Sequence, residues 1–130
     1  MSKVRNAPAS PGRTDLSVPV GACIRVLHGF YEGLELAIDR AWWVIGRGRG
    51  ADAMLAEPTI SRAHAAIGFQ PDAGFFLQDL GSTNGTLLNG TPLEGTLLNG
   101  ARTQRTKLSD GDKIQMGKLQ LRVGIPGACS

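Results

Sequence analysis

The sequence predicts an all-β fold, an antiparallel β-sandwich of two twisted sheets built from about eleven strands. Three observations predict it. Short apolar runs recur along the chain, several with period-two alternation, as in Gly33-Leu34-Glu35-Leu36-Ala37-Ile38 and Leu119-Gln120-Leu121-Arg122-Val123. Turn-forming residues, glycine at 18 positions among them, punctuate these runs at short spacing. No segment carries a sustained helical period between helix caps.

Taken in order, residues 1–20 hold Pro8, Pro11 and Pro19 among Ser, Gly and Thr without apolar periodicity. They read as a flexible N-terminal tail, with one folded domain over 21–124 and a frayed C-terminal end over 125–130. Ala22 to Leu27 is the first strand and Gly33 to Ile38 the second, joined by a hairpin-like Gly29-Phe30-Tyr31-Glu32-Gly33. Trp42 to Ile45 is the third, and a glycine-rich loop, Gly46-Arg47-Gly48-Arg49-Gly50-Ala51-Asp52, leads to a short strand at Met54-Leu55. Ala65 to Phe69 and Phe75 to Asp79 flank a Pro71-Asp72-Ala73-Gly74 turn. Asn84-Gly85, set between two apolar runs, is the strongest short-range turn signal, because both residues tolerate positive φ. Gly85-Thr86-Leu87-Leu88-Asn89-Gly90 then recurs as Gly95-Thr96-Leu97-Leu98-Asn99-Gly100. Two copies are too few for a solenoid, so the repeat reads as a duplicated strand-turn unit that lengthens a surface hairpin. Arg102 to Leu108 is read as one strand, Ser109 to Asp112 as a turn, and Lys113 to Met116 and Leu119 to Val123 as the closing strands.

Composition narrows the function classes. With 130 residues, 42% hydrophobic and 19% charged, the chain is an ordinary globular domain with a real core. Lys3, Arg5 and Arg13 against Asp15 place most of the net charge of +3 in the tail. The near-neutral remainder is not a nucleic-acid or anionic-membrane binder by charge. Cys23 in an apolar run and Cys129 beside the end make neither a disulfide framework nor a metal motif, so a reduced, cytoplasmic protein is expected, with no metal and no cofactor. No apolar stretch reaches the roughly 18 residues of a membrane span, and the N-terminus lacks a signal-peptide core.

Three turn segments combine polar side chains: Gly46-Arg47, Ser61-Arg62-Ala63-His64, and Ser82-Thr83-Asn84-Gly85. A phosphate dianion needs fixed cations and neutral donors, and the planar arginine fork matches it as lysine does not. In order and spacing these segments resemble the forkhead-associated (FHA) domain, a module that binds phosphothreonine peptides. Ile45, Asp79-Leu80 before Gly81, and Leu108-x-Asp110-Gly111-Asp112-x-Ile114-x-x-Gly117 fit the same pattern, so the resemblance spans residues 22–124. It implies that Arg47 and Ser61 contact the phosphate, that Arg62 adds a second polar or cationic contact, that Thr83 shapes the site, and that Asn84 hydrogen-bonds the peptide main chain. It also implies that His64 braces the loops without touching the ligand, with Gly46, Gly81 and Gly85 as structural support. Arg49, which has no family counterpart, and Ser82 stand as auxiliary positions. The implied site lies at one end of the sandwich, on the loops 46–52, 59–64 and 81–85. Its implied function is non-enzymatic recognition of phosphothreonine in partner proteins, for Ser/Thr-kinase-dependent signalling or assembly. Family members prefer phosphothreonine to phosphoserine because a small apolar niche accepts the γ-methyl group.

The same residues admit competing readings. Gly46-Arg47-Gly48-Arg49-Gly50 opens no helical pattern, which excludes dinucleotide and P-loop phosphate binding. Ser61 and His64 resemble a nucleophile and base, but there is no Gly-x-Ser-x-Gly elbow and no orienting acid nearby in sequence. A structural alternative is the FHA-like domain of a secretion apparatus, which acts by phospho-independent protein–protein packing; a pure scaffold has no need for Arg47, Ser61 and Thr83 together. Thr14 is the only threonine in residues 1–20, and once phosphorylated it would be a ligand for its own domain or a neighbour's. The stretch between Asn89 and Leu108 is longer than the family places there, which marks the second repeat copy as an insertion away from the binding loops.

Overall fold

The computed structural model describes residues 18–93, 97–98, 101–102 and 105–126, and over these the chain is strand and turn throughout. The strands are β1 (Cys23–His28), β2 (Glu35–Ala37), β3 (Trp42–Gly46), β4 (Ala53–Met54), β5 (Ala65–Gln70), β6 (Gly74–Asp79) and β7 (Thr86–Leu88). They continue as β8 (Thr91–Pro92), β9 (Leu97–Leu98), β10 (Ala101–Arg102), β11 (Thr106–Lys107), β12 (Lys113–Met116) and β13 (Leu119–Gly124). One sheet has six strands in the order β2-β1-β13-β12-β7-β8, a second has five in the order β11-β6-β5-β3-β4, and β10 pairs with β9 alone. The predicted β-sandwich is therefore the observed fold, open rather than closed into a barrel.

Alternation explains the layers. In β13, Leu119, Leu121 and Val123 point inward while Gln120 and Arg122 do not. In β1, Ile24 and Val26 do the same around an exposed Arg25. These side chains, with Ile114 and Met116 of β12, join Ile45, Ile67 and Leu77 of the second sheet in one core. The central strand β5 is buried on both faces from Ala65 to Gly68. Gly68 is required there, because the Phe76 ring lies across it; a Cβ would stand 2.1 Å from that ring.

Four expectations change. Ile45 pairs with Ala53 in parallel, so the second sheet is not antiparallel throughout. The single strand read over Arg102 to Leu108 is two pieces with different partners: Ala101–Arg102 pairs with β9, and Thr106–Lys107 pairs with Phe76 and Leu77 of β6. Val18, placed in the tail, is buried in the core at 3% exposure, because it supplies apolar volume where the two chain ends meet the sandwich. Ile125, placed in the frayed end, packs against the core, and its amide donates to Asp110 Oδ1 at 2.8 Å.

The repeat behaves as a duplicated hairpin. Leu88 pairs with Thr91 and Leu87 with Pro92 in the first copy; Leu98 pairs with Ala101 and Leu97 with Arg102 in the second. Thr14 and Cys129 lie outside the described residues. Among the described residues, no helix is long and apolar enough to cross a membrane.

Strand direction sorts the loops between two poles. Cys23 pairs with Gly124 at one end of the first sheet, while His28 pairs with Gln120 near the β12–β13 turn at the other. In the second sheet, Ala65 pairs with both Ile45 and Asp79, so β3 ends, β5 begins and β6 ends at a common pole.

Candidate functional site

At that pole the three predicted loops are knitted together by backbone bonds. The Arg47 amide donates to Ser61 O at 3.1 Å, the Gly48 amide to Arg62 O at 3.0 Å, and the Leu80 amide to His64 O at 3.0 Å. Gly46 permits this contact, since a Cβ there would stand 1.9 Å from Arg62 O. Gly81 and Gly85 have φ of +83° and +80°, the left-handed region that the Asp79-to-Thr86 loop needs. Gly46, Gly81 and Gly85 therefore fix the shape of these loops by close approach and conformation.

His64 is the hub. It is fully buried, the Ser61 amide donates to its Nδ1 at 3.0 Å, and its Nε2 lies 2.8 Å from Gly85 O. An amide donor at Nδ1 requires a lone pair there, which puts the proton on Nε2 and makes it the donor to Gly85 O. Burial holds the imidazole below its ordinary pKa, against the opposing effects of Gly85 O and the Asp79 charge. His64 thus holds the second and third loops together as a neutral ring, and both ring nitrogens are engaged. That leaves no free nitrogen to act as a base for Ser61, whose hydroxyl is itself occupied as the acceptor for the Thr83 amide at 3.0 Å.

Asp79 performs the equivalent task within the third loop. Its carboxylate accepts the Gly81 and Ser82 amides at 2.8 and 2.9 Å, and the Ser82 and Thr86 hydroxyls as well. Burial opposes its charge, but these bonds, led by those from Ser82 and Thr86, outweigh it and hold the carboxyl below the usual range. The Ser82 hydroxyl also accepts the Gly85 amide at 3.0 Å, so this side chain closes the turn from inside.

The outward groups differ in kind. Arg47 is exposed, and its Nε donates to Ile60 O at 2.7 Å, which orients the guanidinium through Nε and leaves its terminal nitrogens outside that bond. Arg49 on the same loop and Arg62 on the neighbouring one are also exposed. Among the described residues no carboxylate forms an ion pair with any of these three arginines. Thr83 is exposed beside Ser61, and the Asn84 Nδ2 donates to Thr59 O at 2.7 Å, leaving its carbonyl oxygen directed elsewhere.

One layer of the site was invisible in the sequence. Thr59 accepts the Lys118 amide on its hydroxyl at 2.8 Å and donates that hydroxyl to Glu57 Oε2 at 2.6 Å. The Thr59 hydroxyl bond, then its amide bond, hold the Glu57 carboxyl below its ordinary pKa. The β12–β13 turn is thereby docked under the loop that carries Ser61; the glycine in Leu108-x-Asp110-Gly111-Asp112-x-Ile114-x-x-Gly117 was its only trace. A Cβ at Gly117 would meet Thr59 O and Oγ1 at 2.5 Å.

Comparison with known proteins accords with this arrangement. The FHA domain family profile matches residues 43–117. An oxoglutarate dehydrogenase inhibitor from Corynebacterium diphtheriae is 33% identical over 114 residues, 87% of this chain and 72% of that protein. The glycogen accumulation regulator GarA from Mycobacterium tuberculosis is 31% identical over 123 residues, 89% of this chain and 68% of that protein. The FhaA FHA domain, solved in complex with an intracellular domain, has a TM-score of 0.64 at 29% identity and covers 79% of this chain and 99% of that one. The FHA domain of an Arabidopsis thaliana protein has a TM-score of 0.71 at 28% identity, covering 89% and 93%. The two-sheet fold is that of FHA domains, phosphopeptide-recognition modules rather than enzymes. The chain belongs to the FHA domain family.

Proposed function

We propose that this chain reads phosphothreonine in partner proteins through Arg47, Ser61, Arg62, Thr83 and Asn84. The observation that carries the reading is Arg47: its guanidinium is oriented by Ile60 O, faces solvent, and has no ion-pair partner among the described residues. An oriented, unneutralised fork beside a hydroxyl is what a phosphate dianion requires. Arg49 on the same loop and Arg62 on the adjoining one add field, and the Asn84 carbonyl oxygen accepts a peptide amide. Ser82 acts through the loop's shape rather than on the ligand, since its hydroxyl is spent on Asp79 and Gly85. Titration of a phosphothreonine peptide and its unphosphorylated twin tests this directly. Wild type is expected to bind only the phosphorylated form; equal affinity for both peptides would sink the proposal.

The names of the relatives, an inhibitor and a regulator, support a role in controlling another protein's activity. Phosphothreonine is written by ATP-dependent kinases, and with the Cys23 thiol free this favours the cytoplasm. The oriented Arg47 favours phosphate reading over the purely structural alternative of assembly by packing.

A further inference from the structure

We propose that the turn between β1 and β2 is a further wall of the peptide site, on which Phe30 receives an apolar side chain flanking the phosphothreonine. The proposal rests on the phosphothreonine reading and adds to it what the flanking residue should be.

The turn is built and aimed. Gly29 and Gly33, at φ of +113° and +92°, bracket Phe30-Tyr31-Glu32. The Glu32 amide donates to Gly29 O at 3.1 Å and the Leu34 amide to Tyr31 O at 2.9 Å, so the tip is a closed turn. Tyr31 packs against the core, and its Oη accepts the Ala56 amide at 3.0 Å. That bond ties the tip to the segment that leads into the phosphate loop. Ala56 in turn lines a cavity of about 400 Å3 together with Pro58 and Arg47, the proposed phosphate ligand. The Phe30 ring stands edge-to-face against Tyr31, with centroids 5.1 Å apart, one ring removed from Ala56.

Phe30 is nevertheless 92% exposed. A phenylalanine held in water on a closed turn leaves a large apolar surface unburied, and through Tyr31 and Ala56 the tip connects to the cavity that Arg47 borders. The occupant that this continuity specifies is the phosphopeptide itself. A chain whose phosphate sits on Arg47 passes the Ala56–Pro58 wall if it runs toward the tip, and an aliphatic or aromatic side chain there covers the exposed ring.

The test uses an alanine-background phosphothreonine peptide and variants carrying Leu in turn at each flanking position, titrated against the full chain. The readout is the ratio of affinities between each Leu peptide and the all-Ala peptide, so any general weakening cancels. One position is expected to give wild type a preference of about five- to tenfold for Leu. Phe30→Ala should bring that ratio to about one, and Phe30→Leu should restore most of it. The proposal fails if phosphopeptides bind but no flanking Leu is preferred, or if the preference survives in Phe30→Ala. If wild type binds no phosphopeptide at all, the underlying reading has failed, an outcome independent of Phe30.

Discussion

Arg47 does two things with one side chain. Its Nε holds Ile60 O at 2.7 Å, and its terminal nitrogens, which form no ion pair among the described residues, are the proposed phosphate donors. Arg47→Ala is expected to weaken phosphopeptide binding by about ten- to a hundredfold, as loss of charge-assisted hydrogen bonds does. Arg47→Lys should recover little, because an ammonium is a point charge that cannot brace Ile60 O and face a phosphate together; calorimetric titration of both variants checks this. His64 makes a different prediction. In the unfolded chain its imidazole takes up a proton as pH falls through about 6.5, while burial keeps the native ring neutral to lower pH. Folding stability should therefore drop as pH falls from about 7 toward 5, with a further loss at lower pH as Asp79 is protonated only in the unfolded chain. His64→Gln should lower stability by about 2 kcal/mol, read as a lower melting temperature, and lose the first of these two slopes. A wild-type melting temperature that is flat from pH 7 to 5 would contradict the neutral, buried ring. The polar residues at 46–47, 61–64 and 81–85 were legible in the sequence because turn chemistry and phosphate chemistry both leave local traces. The roles of Ser82 and Thr59 were not. Whether a serine faces a ligand or closes its own turn depends on its rotamer, and residue type carries no record of that.

At the scale of strands and loops, apolar runs, alternating in β13, located β1, β3, β5, β6, β12 and β13 to within a residue or two. Alternation failed between Arg102 and Leu108, where strand propensity is continuous but the hydrogen-bonding partner changes from β9 to β6. The duplicated hairpin yields a sharp expectation. Leu93 is buried and its amide donates to Thr86 O at 2.9 Å, so the first copy belongs to the sandwich through that residue. Deleting residues 94–103 should leave phosphopeptide affinity within about twofold, while a deletion beginning at 91 would remove Leu93 and cost about 2–4 kcal/mol of stability. Gly46→Ala belongs here as well. A methyl 1.9 Å from Arg62 O forces the first two loops apart, so stability should fall by about 1–3 kcal/mol and peptide binding with it.

For the molecule as a whole, the poles divide the labour. Loops that carry Arg47, Ser61 and Asn84 meet at one end, and Val18 and Ile125 enter the core near the other. Thr14 precedes Val18, so a phosphorylated tail that reaches the arginines must cross the length of the sandwich or bind a second copy. Sizing the Thr14-phosphorylated chain beside its Arg47→Ala variant separates these outcomes: compaction or dimerisation that Arg47→Ala abolishes supports the tail as ligand, and no difference removes it. Strand positions, turn positions and the inventory of polar side chains on the loops are local properties, carried by neighbours in sequence, and they could be read directly. Which loops share a pole, which hydroxyls are spent inside them, and how the β12–β13 turn supports Thr59 were decided by tertiary structure. The Lys118 amide and the Thr59 hydroxyl are 59 positions apart and 2.8 Å from one another, and no local pattern encodes such a bond; it exists because sheet register, set by the packed core, brings the two turns together.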